Sequence, residues 1–448
     1  MIDKARQAAY ELLKAVRVED AYANVVWPSI LRRQNLSGRD AAFATDLAYG
    51  TLRWRGFYDA IARTCATRPW SDVDPELVDV VRMGIHQLLA MRVPDHAAVD
   101  SSCELARFLG YQDRGRIGFV NAVLRSVTKH DAHGWAEELM GQRGDDAALA
   151  TVTSHPEWIV RALRHALAFH YGTEPDRATL LEALEADNAP SRPTVAFPAG
   201  EVELSEALIP GRWSALAATV ESGMPGQIPA VRDGRAIVQD EGSQLVVLAL
   251  LAVPVSQPES AWLDMCAGPG GKAALLAAAA RRSHVSLEAV ELHPHRAEMI
   301  ARLVAQVPGV TVTTADALDR PWGSRFFDRI LLDAPCTGIG ALRRRPEARW
   351  RRQASDVPTL TSLQRRLLEV GLSSLRSGGV LGYVTCSPHL EETVDVVDEV
   401  LMHRDDVEVL DAREFLPGVP NLGPGPHAQL WPHIHGTDAM HLSLLRRR

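Results

Sequence analysis

From about residue 236 to the end of the chain, short apolar segments alternate with segments of helical periodicity. This alternation is typical of a parallel sheet whose strands are joined by helices on its faces. Seven segments are predicted as strands: Trp262–Cys266, Leu287–Leu292, Val310–Thr314, Arg329–Asp333, Val380–Thr385, Val407–Leu410 and His441–Leu445. An alanine-rich helix, Lys272–Arg281, is predicted after the first strand. We therefore expect an α/β, Rossmann-like domain with a doubly wound sheet.

The rest of the chain divides into two further predicted domains, as expected for 448 residues, which exceed the size of one hydrophobic core. Residues 1–135 carry apolar side chains at helical spacing and are expected to form an all-α bundle of five to seven helices. A polar stretch at residues 141–146 marks a boundary. Residues 145–235 combine two helical segments with proline-rich, β-like pieces, which indicates a small α+β module. The α/β domain then takes residues 236–448.

Composition excludes several classes of protein. The five cysteines are not closely spaced, so neither a disulfide framework nor a structural zinc site is expected, and a reducing cytoplasm is the predicted compartment. No apolar run approaches the ~20 residues that span a bilayer. The net charge of −8 does not by itself favour nucleic-acid binding. However, six arginines lie between Arg343 and Arg352, and such a cluster could contact phosphate groups.

A glycine-rich turn follows the first predicted strand, and such a turn lets a ligand approach the backbone closely. Its residues are Cys266, Ala267, Gly268, Pro269, Gly270, Gly271 and Lys272. A phosphate-binding P-loop is one interpretation, but Ala273 stands where a magnesium-binding hydroxyl is required. A dinucleotide-binding turn is a second interpretation, which the glycine spacing matches weakly.

S-adenosylmethionine (AdoMet) is the third interpretation, and acidic residues after the next strands favour it. Glu291 ends the second predicted strand, where a carboxylate can accept hydrogen bonds from ribose hydroxyls. Asp316 follows the third strand and could accept from an adenine amine. One ligand lying across the sheet edge would meet the acids of successive strands. The acids together therefore indicate an AdoMet site more specifically than either residue alone.

Two cysteines follow later strands of the same sheet. Asp333 and Cys336 come after the fourth predicted strand, and Cys386 comes after the fifth. The carboxyl ends of parallel strands share one edge, so these residues are expected to face the same crevice as the glycine-rich turn. A lone cysteine is more often a buried structural residue. Two cysteines at a ligand edge favour a reaction centre instead, because a thiolate readily adds to an electron-poor ring carbon.

Together these groups predict methylation of cytosine at C5. This carbon is too weak a nucleophile until a thiolate has added to C6 of the same ring. Asp333, if protonated, is placed to assist that addition at N3. A base then removes the C5 proton and the thiolate leaves. The target base must be unstacked, because C6 cannot be reached inside a helix. These residues alone do not show which group stabilises the thiolate.

Four motifs resemble those of the RNA cytosine-C5 methyltransferases, and nearly the whole chain is similar to the bacterial Fmu/Sun-type ribosomal RNA enzymes. The motifs are Val238–Gln244, Cys266–Lys272, Asp333–Gly338 and Thr385–Pro388. The resemblance implies that Cys386 is the nucleophile and that Cys336 assists product release. It also implies AdoMet contacts by residues 266–272, Glu291, Asp316 and Asp333.

The N-terminal helices resemble the RNA-binding antitermination factor NusB over residues 40–55, 82–94 and 121–125. The resemblance implies an AdoMet-dependent enzyme that makes 5-methylcytidine in small-subunit (16S) rRNA, as a cytoplasmic monomer without a metal or a membrane partner. Three alternatives remain: methylation of tRNA, a non-catalytic RNA-binding assembly factor, and a dehydrogenase. The intact cysteine pair argues against the second, and the weak glycine fingerprint argues against the third.

Overall fold

The computed structural model describes residues 3–141, 145–255 and 258–448. Their contacts form two compact units. The first comprises Met1–Arg161, Leu184–Ala189 and Leu342–Arg351, and the second comprises Ala162–Ala183, Pro190–Ala341 and Arg352–Arg448. The division into three domains stays a prediction, and residues 142–144 of its first boundary lie outside the described residues.

The first unit is a helical bundle. Its helices are α1 (Lys4–Val18), α2 (Ala23–Gln34), α3 (Gly38–Arg53), α4 (Arg55–Cys65), α5 (Pro75–Leu89), α6 (Asp95–Phe108), α7 (Arg114–Val127), α8 (Ala132–Met140) and α9 (Asp145–Val152). Their apolar faces meet in one core, in which Leu12, Leu47 and Leu77 have no exposed surface. The all-helical prediction for this part of the chain is confirmed.

Helices and a small antiparallel sheet follow. The helices are α10 (Glu157–Tyr171) and α11 (Arg177–Asn188), and the strands are β1 (Thr194–Ala196), β2 (Leu208–Pro210) and β3 (Ala217–Val220). After the short helix α12 (Pro229–Arg232), β4 (Ile237–Val238) completes the sheet in the order β2-β3-β1-β4. The side chains of Val195 and Phe197 form its core with Ala218. This segment therefore contains both helices and strands, as its sequence indicates.

The second unit is built on a larger mixed sheet. Its first half contains α13 (Glu241–Ala252), β5 (Ala261–Asp264), α14 (Gly271–Ser283), β6 (Ser286–Glu291), α15 (Pro294–Val304), β7 (Val310–Thr314) and β8 (Phe327–Asp333). After α16 (Ala348–Arg351), which belongs to the first unit, come α17 (Val357–Ser373), β9 (Leu375–Thr385), α18 (Val394–Leu401), β10 (Val407–Leu410), β11 (Ala428–Gln429), α19 (Pro432–His435) and β12 (His441–Arg447).

The strand order of this sheet is β10-β12-β9-β8-β5-β6-β7, and β11 pairs with β12. Strands β5 to β9 pair with one another in parallel, whereas β12 is antiparallel to both β9 and β10. All seven strands expected from the sequence are present. The strand β9 begins at Leu375 rather than at the predicted Val380, because Leu375 pairs with Phe327 of β8. An irregularity in the pairing separates this pair from the rest of the strand. Gly378, with φ 80°, lies in this part of β9 and resembles a turn residue.

Helices on both faces bury the central strands of the sheet, whereas the edge strands β7 and β10 are partly exposed. Leu250 and Leu276 pack with Leu287 in the core on one face, and Leu263 and Leu332 pack with Leu368 in the other. Strands covered on both faces are rich in branched apolar residues, which explains the apolar runs of the sequence. Polar residues occur where β5, β6, β8 and β9 end, and these ends meet at one edge of the sheet.

Candidate active site

The glycine-rich turn joins β5 to α14. Gly270, the residue preceding α14, has φ 113°, a conformation that glycine adopts far more readily than other residues. A Cβ atom added at Gly268 would collide with Oε2 of Glu291. A Cβ at Gly270 would lie 2.8 Å from Leu303 Cδ1. Glycine at position 268 therefore lets the turn pass close to the carboxylate that ends β6, and glycine at position 270 lets it pass close to α15.

The two predicted acids, Glu291 and Asp316, follow the neighbouring strands β6 and β7. Glu291 is buried and accepts hydrogen bonds from the backbone N–H groups of Gly268, at 3.0 Å, and His293, at 2.9 Å. Asp316 is half-buried and accepts from Leu318 N at 2.9 Å. Each backbone hydrogen bond fixes the orientation of a carboxylate that still has lone pairs for a ligand.

Asp264, the last residue of β5, is a buried carboxylate that the sequence analysis did not single out. Neither of its oxygens has a hydrogen-bond partner within the described residues. Burial and the charge of Asp333 raise the pKa of Asp264 to about 8. A buried polar group without a partner is costly and points to a missing ligand. The feature of the sequence that could have identified Asp264 is its position, two residues before the glycine-rich turn begins at Cys266.

Lys272 and Asp333 form an ion pair between the glycine-rich turn and the end of β8. Lys272 Nζ donates to Asp333 Oδ2 at 2.7 Å, and their side chains are only 12% and 24% exposed. Burial lowers the pKa of Lys272, but the charge and hydrogen bond of Asp333 raise it more, with a further contribution from Cys386. The net upward shift keeps Lys272 protonated. The sequence predicted both residues as ligand contacts but missed their pairing.

The structure brings Cys336 and Cys386 together. Strand β8 ends at Asp333, which pairs in register with Val384 of the neighbouring strand β9. The two sulfur atoms lie 3.5 Å apart. The hydrogen bond to Cys386 and burial together raise the pKa of the Cys336 thiol well above its ordinary value. Cys336 is therefore a neutral thiol that can donate a hydrogen bond to the sulfur of Cys386.

The arginine-rich segment does not provide the exposed basic run that the sequence led us to expect. Arg349 has no exposed surface and donates to Ser154 O at 3.0 Å and to Asn188 Oδ1 at 2.8 Å, all within the first unit. Burial lowers the pKa of this guanidinium to about 9. Arg351 donates to the backbone carbonyl of Ala21. The phosphate-contact hypothesis is therefore wrong for Arg349, because protein acceptors occupy its donors.

Within residues 3–141, 145–255 and 258–448, no group of three or more histidine, cysteine or acidic side chains is arranged to hold a metal ion. Across those same ranges, no helix combines the length and the apolar character needed to cross a membrane.

The sheet order, the antiparallel β12 and the glycine-rich turn after β5 define a Rossmann-like methyltransferase domain. A model of the family described as "16S rRNA methyltransferase RsmB/F" matches residues 250–446. A NusB family model matches residues 3–129, within the helical bundle.

Relatives are similar to this chain over most or all of its length. Rv1407 of Mycobacterium tuberculosis is 47% identical over 450 residues, covering 100% of this chain and 97% of that protein. Ribosomal RNA small subunit methyltransferase B of Xanthomonas campestris is 32% identical over 387 residues, covering 83% and 81%. The chain therefore belongs to the RsmB/F family of 16S rRNA methyltransferases, with a NusB-family domain at its N-terminus.

Solved structures share the fold. The crystal structure of PH0851 covers 100% of this chain and 99% of its own, with a TM-score of 0.78 at 17% identity. A methyltransferase homologue from Pyrococcus horikoshii covers 68% of this chain and 99% of its own, with a TM-score of 0.55 at 23% identity. At these identities the likeness shows the fold alone.

Proposed function

We propose that this chain transfers a methyl group from AdoMet to C5 of a cytidine in 16S rRNA, through a transient bond between the sulfur of Cys386 and C6. The pair of sulfur atoms 3.5 Å apart is the observation that carries the proposal. Membership of the RsmB/F family supports ribosomal RNA as the substrate. The NusB-family domain is proposed to bind that RNA, and the enzyme is proposed to act as a cytoplasmic monomer without a metal.

The residues at the sheet edge fit AdoMet. Asp264 offers an unpartnered buried carboxylate, for which the ammonium group of AdoMet is a suitable counter-charge. Glu291 is proposed to hold the ribose hydroxyls, and Asp316 the adenine amine. The remaining proposed contacts are Cys266, Ala267, Gly268, Pro269, Gly270, Gly271, Lys272 and Asp333. When bound, AdoMet supplies a methyl group attached to a positively charged sulfonium.

Cys386 is proposed as the nucleophile because its surroundings favour a thiolate. Cys336, whose pKa is raised, remains protonated and donates a hydrogen bond to the Cys386 sulfur. The ammonium group of Lys272 interacts favourably with Cys386 as well. A hydrogen bond and a nearby cation both stabilise the charged form of an acid. These two groups are candidates for the stabilisation that the sequence left unassigned.

The proposed reaction begins at C6 of the cytosine ring and ends with loss of the C5 proton. The Cys386 sulfur bonds to C6, and the displaced electron pair makes C5 nucleophilic. Lys272 stays protonated, so the proton that Asp333 passes towards N3 is first taken up from solvent, because an ionised carboxylate has no proton to donate. After C5 takes the methyl group, a base removes the C5 proton and the bond between sulfur and C6 breaks. Cys336 is proposed to assist this release.

Bisulfite sequencing of RNA tests the proposal directly. Cells lacking the chain are compared with cells that carry it and with cells that carry the Cys386→Ala variant. We expect one or more 16S cytidines to be protected from conversion only in cells with the unaltered chain. Loss of protection in tRNA, with 16S rRNA unchanged, would favour the tRNA alternative. Identical patterns in all three strains would reject cytosine-C5 methylation.

A further inference from the structure

Glu392 is a carboxylate with no exposed surface, between β9 and α18. Its Oε1 accepts hydrogen bonds from Thr337 N at 2.7 Å and from Gln364 Nε2 at 3.3 Å. Its Oε2 accepts from the hydroxyls of Thr337, at 2.5 Å, and Ser387, at 2.7 Å. These four donors satisfy a buried negative charge, which would otherwise be strongly destabilising.

The hydrogen bonds of Glu392 reach the residue that follows each reactive cysteine. Thr337 comes directly after Cys336, and Ser387 comes directly after Cys386. One rigid carboxylate group therefore links the two loops beyond the end of their strand pairing. The hydroxyls of Thr337 and Ser387 also lie within 3.3 Å of each other. Short, charge-assisted hydrogen bonds of this kind hold groups with little freedom.

The charge of Glu392 also acts on one cysteine. Its negative charge is among the causes that raise the pKa of the Cys336 thiol, after the hydrogen bond to Cys386 and burial. A buried carboxylate next to this loop therefore favours the protonated form of Cys336. The same group thus contributes both to the placement of the two loops and to the chemical difference between their cysteines.

We propose that Glu392 is a positioning residue for methyl transfer: it holds the Cys336 and Cys386 loops at their reacting separation. The inference rests on the proposed function, because it assigns the two sulfur atoms to one reaction. Glu392 has no exposed surface with which to contact a ligand. It acts through Thr337 and Ser387.

The variant Glu392→Gln removes the negative charge of the side chain while keeping its size. The amide has the same size, but its NH₂ group can only donate, so both hydroxyl hydrogen bonds must reverse. The new bonds are neutral and hold the two loops less firmly than the charge-assisted ones. Glu391→Gln is the matched control, because Glu391 is the exposed neighbour. Thermal unfolding and AdoMet calorimetry show whether each variant is folded and binds the cofactor.

Two readouts test the proposal on the full-length protein. The first is kcat for 16S rRNA, which we expect to fall about 10- to 100-fold in Glu392→Gln, with the KM for AdoMet within about twofold of the unaltered value. The second is the pH profile of Cys336 alkylation by iodoacetamide, followed by peptide mass spectrometry. We expect this profile to move to lower pH in Glu392→Gln and to stay unchanged in Glu391→Gln.

An unchanged kcat together with an unchanged alkylation profile would overturn the proposal. If Glu392→Gln does not fold, Thr337→Val and Ser387→Ala each remove part of the link, and full kcat in both would overturn it equally. The alkylation readout needs neither RNA nor AdoMet. A shifted profile in a protein that methylates no RNA would therefore support the action of Glu392 on Cys336 and reject the proposed reaction.

Discussion

Replacement of Lys272 by methionine tests the electrostatics of the site most sharply. The Nζ–Oδ2 distance to Asp333 is 2.7 Å, and both side chains are largely buried. At an effective dielectric constant of ~20 the attraction between the two charges is about 6 kcal/mol, and desolvation of the pair offsets much of it. Removing the cation alone leaves the Asp333 charge beside buried Asp264. We therefore expect Lys272→Met to lower the free energy of unfolding by about 2–4 kcal/mol.

The direction in which the pKa of Lys272 is shifted determines the pH at which the unfolding experiment should be done. The pKa of Lys272 is raised above its ordinary value of 10.5 in the folded protein. Its contribution to stability is therefore fully present below that value and is lost only as the pH rises through the folded pKa. Urea unfolding near neutral pH, without AdoMet, measures the whole effect.

Two further variants provide the control and the refutation. Arg281→Met removes an exposed cation from the same helix, α14, and should change the free energy of unfolding by less than about 0.5 kcal/mol. Adding Asp333→Asn to Lys272→Met removes the uncompensated charge, so the double variant should recover at least about 1 kcal/mol. A Lys272→Met protein as stable as Arg281→Met would refute the reasoning, as would strictly additive losses in the double variant.

Three more outcomes are expected. Cys386→Ala should abolish methyl transfer to RNA while AdoMet still binds in calorimetry, and turnover at the unaltered rate would reject Cys386 as the nucleophile. Cys336→Ala should accumulate a covalent RNA adduct that migrates slowly on a denaturing gel, and its release role fails if no such band forms. Burial raises the pKa of Asp264 from 3.8 to about 8, so between these values the folded protein holds a proton that the unfolded chain has lost. Stability therefore falls as the pH rises across this window. Asp264→Asn should flatten this dependence of Tm without AdoMet, and profiles parallel to the unaltered protein would contradict the assignment.

Periodicity in the sequence was sufficient to predict the main sheet, because strands buried on both faces leave uninterrupted apolar runs. The partly exposed edge strands β7 and β10 were found with their observed bounds, Val310–Thr314 and Val407–Leu410, because valine alternates with polar residues in each. The start of β9 was misplaced because Gly378 locally resembles a turn, whereas pairing with Phe327 extends the strand. The two-residue strand β11 carries too little pattern to be found, since only its pairing with β12 defines it.

Residues at strand ends were easier to predict than the interactions between them. The positions of Cys336 and Cys386 at one edge follow from strand adjacency, but the pairing of Lys272 with Asp333 depends on side-chain directions across 61 positions of the sequence. Arg349 was expected to be available to phosphate groups because it lies in a cluster of arginines. Its burial depends on acceptors from distant segments, such as Ser154 and Asn188. No local pattern reports such contacts.

The bond between the Cys386 sulfur and C6 of cytosine is the central claim, and a trapped adduct tests it most directly. The protein is incubated with AdoMet and a 16S rRNA transcript containing 5-fluorocytidine, in which no C5 proton is available for removal and the adduct cannot resolve. We expect a complex that survives denaturation and, after digestion, a nucleotide attached to the peptide containing Cys386. A nucleotide on the Cys336 peptide, or no stable complex, would contradict the account.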